Sequence, residues 1–270
     1  MKERVTLTIE KELLNRIDEK VDGLEFKNRS HVVELLLLKA LSSNRPRKAI
    51  ILAGGEEKNP LSMNIVKNKP LLEWNVELLK DHGVKEIMIS INKNAAKIKE
   101  YFGNEERFGI KISFFEEEFP LGTAGCIKAV QEFVKETTII CNADELKNID
   151  LDDMYEFHKH NNKTCTIALT TVNDPSKFGV ALLNGNKIVT FMEKPITEKT
   201  PSKLINAGLY FIEPEVLKYI PEGFSMLEQD VFPKLAKQDK LFGYIFSGQW
   251  FSTKTEDSFN KAIKEWKGFE

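Results

Sequence analysis

The chain has 270 residues, 41% of them hydrophobic and 30% charged, with a formal net charge of −2. That length suits one large and one small domain, and the apolar share is enough to build a core. The charge excludes a polyanion binder that works by bulk attraction, and no apolar run approaches the length of a membrane span.

Cys126, Cys141 and Cys165 form no C-x-x-C pair and lie in apolar or helical surroundings. Buried reduced thiols are expected, in a cytoplasmic protein with no membrane association.

Residues 1–47 carry ten Lys/Arg against eight Asp/Glu, a small basic surplus. The run Arg4-Val5-Thr6-Leu7-Thr8-Ile9 alternates strictly. Val5, Leu7 and Ile9 share one face and Arg4, Thr6 and Thr8 the other, the pattern of a half-buried strand. A helix follows from about Lys11 to Asp22, ended by Gly23. Ser30 is placed to cap a second helix over Val32–Leu41. One strand and two short helices cannot close a core alone, so an intertwined homodimer is expected, its two strands paired as a ribbon. Such a ribbon presents Arg4, Thr6 and Thr8 to the major groove of double-stranded DNA. The amides following Asn28-Arg29-Ser30 are suited to a backbone phosphate. From Lys2 to about Ser42 the stretch resembles the ribbon-helix-helix repressors, in RVTLTI, LLNRID and the NRS turn. The resemblance implies base reading by Arg4, Thr6 and Thr8 and obligate dimerisation; a plain dimerisation arm is the alternative. The expected boundaries are 1–43 for this domain and 44–47 for a linker holding the helix-breaking Pro46.

Residues 48–270 form the second expected domain. Ala49–Ala53 is a continuous apolar run, read as a strand buried on both faces, and Gly54-Gly55 follows it. The pattern predicts helices over Pro70–His82, Ala95–Phe102, Thr123–Val134 and Leu151–Asn161. Strands are expected at Lys85–Ile91, Ile110–Phe115 and Thr137–Cys141. The alternation indicates an α/β domain with a mixed, mostly parallel, Rossmann-like sheet, binding ligands at the carboxyl ends of its strands. Thr164–Thr171, Val180–Leu183, Lys187–Met192 and Ile205–Ile212 indicate an added antiparallel region, followed by a strand at Leu241–Phe246 and a closing helix at Thr255–Trp266.

Six short motifs line up in this domain: LAGG at Leu52–Gly55, KPLLEW at Lys69–Trp74, PLGTAG at Pro120–Gly125, NADE at Asn142–Glu145, FMEKP at Phe191–Pro195 and NAGLYFIEPEVL at Asn206–Leu217. In this order and spacing they resemble the sugar-1-phosphate nucleotidyltransferases over essentially all of residues 48–266. The resemblance implies that Leu52, Ala53, Gly54 and Gly55 line a base pocket and that Gly122 and Gly125 let base and sugar pack on backbone. It further implies that Asp144 ligates magnesium, Glu193 and Asn206 bind the sugar, and Lys194 faces a phosphate.

Three positions depart from that family. Glu56-Glu57-Lys58-Asn59 stands where an arginine grips the triphosphate, a family Pro-Lys-Pro has no clear counterpart, and Ser252 stands where a second metal-binding Asp belongs. Phosphoryl transfer rests on charge neutralisation, and one arginine there is worth roughly 10³–10⁵ in rate. The expectation is therefore a DNA-binding transcription regulator carrying a pseudo-nucleotidyltransferase domain. That domain has no required cofactor and takes a nucleotide or nucleotide sugar as effector, with magnesium accompanying a bound nucleotide. The alternative is an active sugar-1-phosphate nucleotidyltransferase with an N-terminal dimerisation or autoregulatory arm.

Overall fold

The computed structural model describes residues 5–23, 26–41, 45–54, 61–93, 95–103, 105–160, 163–195, 200 and 202–269. The chain divides into two compact units, Met1–Asn44 and Arg45–Glu270.

The first unit holds helices α1 (Lys11–Asp18) and α2 (Arg29–Leu41). Arg4 lies outside the described residues, and residues 5–10 carry no strand. Val5 and Leu7 are exposed there, as are Thr6 and Thr8. Ser30 does not cap α2, because the helix begins one residue before it. Asn28 takes that part: its Oδ1 accepts from the His31 amide at 3.0 Å, as a short Asx side chain can. Arg29 forks onto Asp18, with contacts of 2.6 and 2.5 Å. Hydrogen bonding to Arg29 holds the Asp18 carboxyl below its usual range. Asn28 and Arg29, assigned from sequence to a DNA phosphate, are thus engaged within the unit, and the described residues 5–10 of the segment assigned to base reading form no strand.

The second unit contains, in chain order, β1 (Lys48–Ala53), β2 (Ile65–Val66), β3 (Lys69–Pro70), α3 (Leu71–Asp81), β4 (Glu86–Asn92), α4 (Ala96–Phe102), α5 (Glu105–Phe108) and β5 (Lys111–Glu117). Next come α6 (Gly122–Ala129), β6 (Thr138–Asn142), β7 (Glu145–Lys147), α7 (Leu151–Lys159), β8 (Cys165–Thr171), β9 (Gly179–Asn184) and β10 (Lys187–Glu193). The last elements are β11 (Leu204–Ile212), α8 (Phe232–Lys237), β12 (Leu241–Ile245), β13 (Trp250–Ser252) and α9 (Glu256–Glu265). No helix among the described residues is long and apolar enough to cross a membrane.

The described strands form a nine-stranded sheet in the order β5-β4-β1-β6-β11-β8-β12-β10-β9. Strands β5, β4, β1 and β6 run parallel, and β11 pairs antiparallel to β6. The continuous apolar strands have a direct cause. Ala49 and Ile51 enter the core on one face with Leu72, Val76 and Met154. Ile50 enters the core on the other with Ile127, Tyr210 and Phe232. Both faces are covered, so every position must be apolar. All three cysteines are free and buried in these layers, and burial pushes the Cys126 thiol up to about 12.

Three short elements escaped the sequence pattern and matter for the site. The pair β7–β13 is antiparallel, with Ser252 opposite Glu145. A third cluster of Val66, Leu71, Trp74, Leu146, Phe251, Ala262 and Trp266 packs behind that pair. Trp74 and Trp266 meet edge to face at 5.7 Å there, a geometry aromatic pairs favour. The third element is a turn of π-helix at Leu227–Val231, which brings Glu228 inward.

Lys147 is fully buried where β6, β7 and β11 converge. Its Nζ lies 3.4 Å from the carbonyls of both Asn142 and Gly208, and 3.8 Å from Glu145 Oε2. Replacing it by methionine leaves the Glu145 carboxylate buried without its ammonium. The expected loss is about 3 kcal/mol, at the lower end for a broken buried pair because Trp250 still donates to Glu145. Urea unfolding measures it, and a loss near zero would show that the pair contributes nothing net.

Glu213 gathers a second, partly buried network. It accepts from Thr137 Oγ1 at 2.7 Å, from His158 Nε2 at 3.2 Å and from Lys159 at 3.3 Å. Burial alone would raise its carboxyl, but the His158 and Thr137 hydrogen bonds and the Lys159 charge bring it down to about 2 from 4.5. Burial lowers His158, the reverse of its effect on the carboxyl. A depressed carboxyl stabilises the fold above its unfolded value and loses that contribution as pH falls. Wild-type stability is therefore expected to decline between pH 4.5 and about 2 more steeply than that of Glu213→Gln. Parallel acid limbs for the two proteins would refute this.

Candidate active site

The carboxyl ends of β1 and β6 open onto a cavity of about 520 Å³. One wall is built from glycines that have no alternative. A Cβ on Gly54 would lie 2.3 Å from Glu117 Oε1. That carboxylate is nearly buried and pinned, accepting from Ser90 Oγ at 2.7 Å and from the Leu121 amide at 2.9 Å. These bonds hold the Pro120–Gly122 turn against the end of β5. Gly122 has φ +75°, and a Cβ there would strike the Ser225 carbonyl at 2.4 Å. The same carbonyl accepts from the amides of Ala124 and Gly125 at 2.9 and 3.1 Å.

The floor comes from the turn after β6, where the Ala143 amide donates to the Leu52 carbonyl at 3.1 Å. Asp144 stands on this turn. Its carbonyl accepts from both the amide and the hydroxyl of Thr253, at 3.2 and 2.8 Å. This continues the β7–β13 register and sets the next residue, Lys254, beside the Asp144 carboxylate, with Nζ 3.5 Å from Oδ2. Burial would lower Lys254, and the carboxylates of Asp144, Glu145 and Glu228 more than reverse this, holding it at about 12. The side chain is 54% exposed, so solvent screens part of that attraction.

The opposite wall comes from the antiparallel half. Lys194, in the left-handed region at φ 44°, is 3.8 Å from Glu193. Burial raises the Glu193 carboxyl, and Glu228 adds to the effect. Asn206 sits at a register shift in β11, donating to Tyr210 Oη at 2.9 Å and accepting from the Gly208 amide at 2.9 Å.

Leu52, Ala53, Gly54, Gly122, Asp144, Glu193, Lys194 and Asn206 therefore share one cavity. Gly125 stands behind the wall, where a Cβ would meet the Gly223 carbonyl at 2.4 Å. Gly55 and the Glu56-Glu57-Lys58-Asn59 loop lie outside the described residues. Lys69 of KPLLEW is turned to Glu77 at 2.6 Å. The sequence reading missed Lys254, Lys177, Glu117, Glu228, Ser62 and Phe224, all of which line the cavity. Glu117 precedes PLGTAG and Lys254 follows Trp250 closely, so each had a neighbouring signal; Glu228 and Ser62 had none. The Ser62 hydroxyl and the Asn142 Oδ1 belong to residues lining the cavity and are buried without a hydrogen-bond partner among the described residues.

Of the two NADE carboxylates, Asp144 lies 3.5 Å from Lys254 Nζ, while Glu145 is buried beside Lys147. Among the described residues no group of three His, Cys, Asp or Glu side chains could hold a metal ion. One carboxylate fits a magnesium ion that arrives on substrate phosphates, and fits no ion held by the protein alone.

The chain matches the Nucleotidyl transferase family over residues 48–267. It is 35% identical over 217 residues to mannose-1-phosphate guanyltransferase beta-B of Xenopus laevis, covering 75% of this chain and 60% of that protein. It is 37% identical over 212 residues to a UTP–glucose-1-phosphate uridylyltransferase of Synechocystis, covering 70% of this chain and 55% of that protein. The chain thus spans somewhat over half the length of these relatives. In fold it resembles HddC of Yersinia pseudotuberculosis, with a TM-score of 0.70 at 22% identity over 82% of this chain and all of that one.

These findings overturn the reading of a DNA-binding transcription regulator with an inactive, effector-binding domain, and with it double-stranded DNA as the partner. The relatives are named for nucleotidyl transfer to sugar phosphates. Two physical errors lay behind the mistake. Of the groups meant for DNA, Asn28 and Arg29 are engaged inside the N-terminal unit. The site also holds a positive charge the reading did not count, Lys254, placed by a strand pair the sequence pattern did not reveal. By the match over residues 48–267, the chain belongs to the nucleotidyl transferase family.

Proposed function

We propose that residues 48–270 form a sugar-1-phosphate nucleotidyltransferase, joined through 44–47 to the N-terminal unit. The observation that carries this reading is one cavity with a glycine wall on its Rossmann-like side, Asp144 and Lys254 on its floor, and Glu193, Lys194 and Asn206 opposite. The similarity to guanylyl and uridylyl transferases supports it.

In the proposed reaction a phosphate oxygen of the sugar 1-phosphate attacks the α-phosphorus of a nucleoside triphosphate. One P–O bond forms, the bond to the β-phosphate breaks, and pyrophosphate leaves with the electron pair. Leu52, Ala53, Gly54 and Gly122 offer flat backbone to the nucleoside, and Gly55 is assigned to the same wall from its place in LAGG. Glu193 accepts hydrogen bonds from sugar hydroxyls and Asn206 offers its remaining donor. Lys194 and Lys177 meet phosphate oxygens as mobile point charges. Magnesium, when bound, neutralises phosphate charge, and Asp144 is the side chain that would hold it. Gly125 acts from behind, allowing the glycine wall to sit close to the loop at Gly223.

The test is pyrophosphate release with magnesium and two substrate pairs, GTP with mannose 1-phosphate and UTP with glucose 1-phosphate. Release dependent on the sugar phosphate is expected with at least one pair, and Asp144→Asn is expected to lower kcat by about 10²–10³, the effect of losing one charge-stabilising group. No release above the rate without sugar phosphate, across these and the remaining nucleoside triphosphates, would overturn the proposal.

A further inference from the structure

We propose that Phe178 and Trp250 are positioning residues for Lys194, fixing the point from which that lysine reaches a phosphate of the substrate. That Lys194 meets a phosphate rests on the transferase reading; the contacts that hold it do not.

Lys194 occupies a demanding position. Its backbone stands in the left-handed region at φ 44°, which a Cβ disfavours, and its side chain is 67% exposed. A conformation of this kind persists only where neighbouring contacts hold it. The hairpin of β9 and β10 supplies the first of these. Glu193 pairs with Gly179 at the end of the ladder, and the Lys194 amide then donates to the Phe178 carbonyl at 3.1 Å. Gly179 permits the close approach, since a Cβ there would lie 2.5 Å from the Phe191 ring. The Phe178 amide is engaged as well, donating to the Pro175 carbonyl at 3.1 Å.

The Phe178 ring ties this turn to the floor of the cavity. It meets Trp250 edge to face, with centroids 5.3 Å apart and planes at 77°. The Trp250 indole donates to Glu145 Oε2 at 3.3 Å, and that carboxylate is buried 3.8 Å from the Lys147 ammonium. A continuous run of contacts therefore leads from the interior, through Glu145, Trp250 and Phe178, to the main chain of Lys194. Phe178 and Lys194 both line the cavity. A mostly exposed lysine has a flexible four-carbon stem, so its charge alone does not bring it to a phosphate. Holding its backbone still reduces the freedom lost when the contact forms. Loss of either ring frees the Pro175–Phe178 turn and leaves the glycine wall on the other side of the cavity as it was.

Steady-state kinetics of the full chain give the first readout, with GTP and mannose 1-phosphate and with UTP and glucose 1-phosphate. Phe178→Ala and Trp250→Ala are expected to raise KM for the sugar 1-phosphate at least about fivefold, with KM for the nucleoside triphosphate within about twofold. Trp250→Phe, which keeps a ring against Phe178, is expected to stay within about threefold of wild type in both. Where an alanine variant does not fold, Phe178→Leu or Trp250→Leu takes its place, keeping bulk without the edge-to-face contact. The second readout is a double-mutant cycle on the affinity for GDP-mannose and UDP-glucose, measured by calorimetry without turnover. Phe178→Ala is expected to weaken binding about fivefold in the wild-type chain and less than about twofold once Lys194 is replaced by alanine. Equal weakening in both backgrounds would overturn the proposal, as would a rise of both KM values together. Binding of neither nucleotide sugar by the wild type would overturn it along with the transferase reading. Binding without turnover would sink that reading alone, and the cycle then decides the role of Phe178.

Discussion

One buried ammonium joins the two halves of this sheet. Lys147 sits where the last parallel strand, β6, gives way to the antiparallel β11, and it reaches a carbonyl on each. A change of strand direction leaves main-chain oxygens that the regular ladder does not use, and an interior acceptor without a donor is costly. Lysine is the side chain long enough to serve both while Glu145 balances its charge. The candidate site lies directly above this junction. Its floor, the Asn142–Glu145 turn, is therefore held by the same contacts that hold the fold together.

The site is best understood as a balance of charge across that floor. Glu117, Asp144, Glu145, Glu193 and Glu228 line the cavity, faced by Lys177, Lys194 and Lys254. Not all of these carboxylates are free to act. Glu117 is used in holding the glycine wall, Glu145 is set into the interior beside Lys147, and Glu228 is nearly buried and accepts from Thr123 Oγ1 at 2.7 Å. Asp144 and Glu193 remain as the groups with both access and charge. That division separates structural acids from those suited to meet a ligand, within one pocket.

Much of the larger unit could be read from the chain because its information is local. Strands covered on both faces must be mainly apolar, and β1, β6 and β11 show this; α3 is apolar enough to be buried on most sides. The motifs around Gly54, Gly122, Asp144, Glu193 and Asn206 were legible for a similar reason: each occupies a short loop beside a strand that periodicity locates. What could not be read depends on pairing between distant segments. The strands β7 and β13 have three residues each, too few for an alternation to register, and their meeting places Lys254. Glu228 is turned inward by a π-helical turn that has no sequence period of its own. In the N-terminal unit the alternation of residues 4–9 was clear, but a pattern that fits a strand does not form one without a partner edge. Arg29 was judged by its position in a turn, when the nearer influence was Asp18, eleven residues earlier.

The carbonyls of Ser225 and Gly223, lodged where side chains on Gly122 and Gly125 would need to be, bear on how this cavity could be reshaped. Main chain cannot step aside as a side chain can, so the volume on that wall is closed to enlargement or reduction by substitution. Reshaping the cavity by substitution would have to proceed through side chains such as Lys177, Phe178 and the exposed Phe224, which also line it. The glycine wall is thus the constant part of the pocket, and selectivity is left to the residues around its opening.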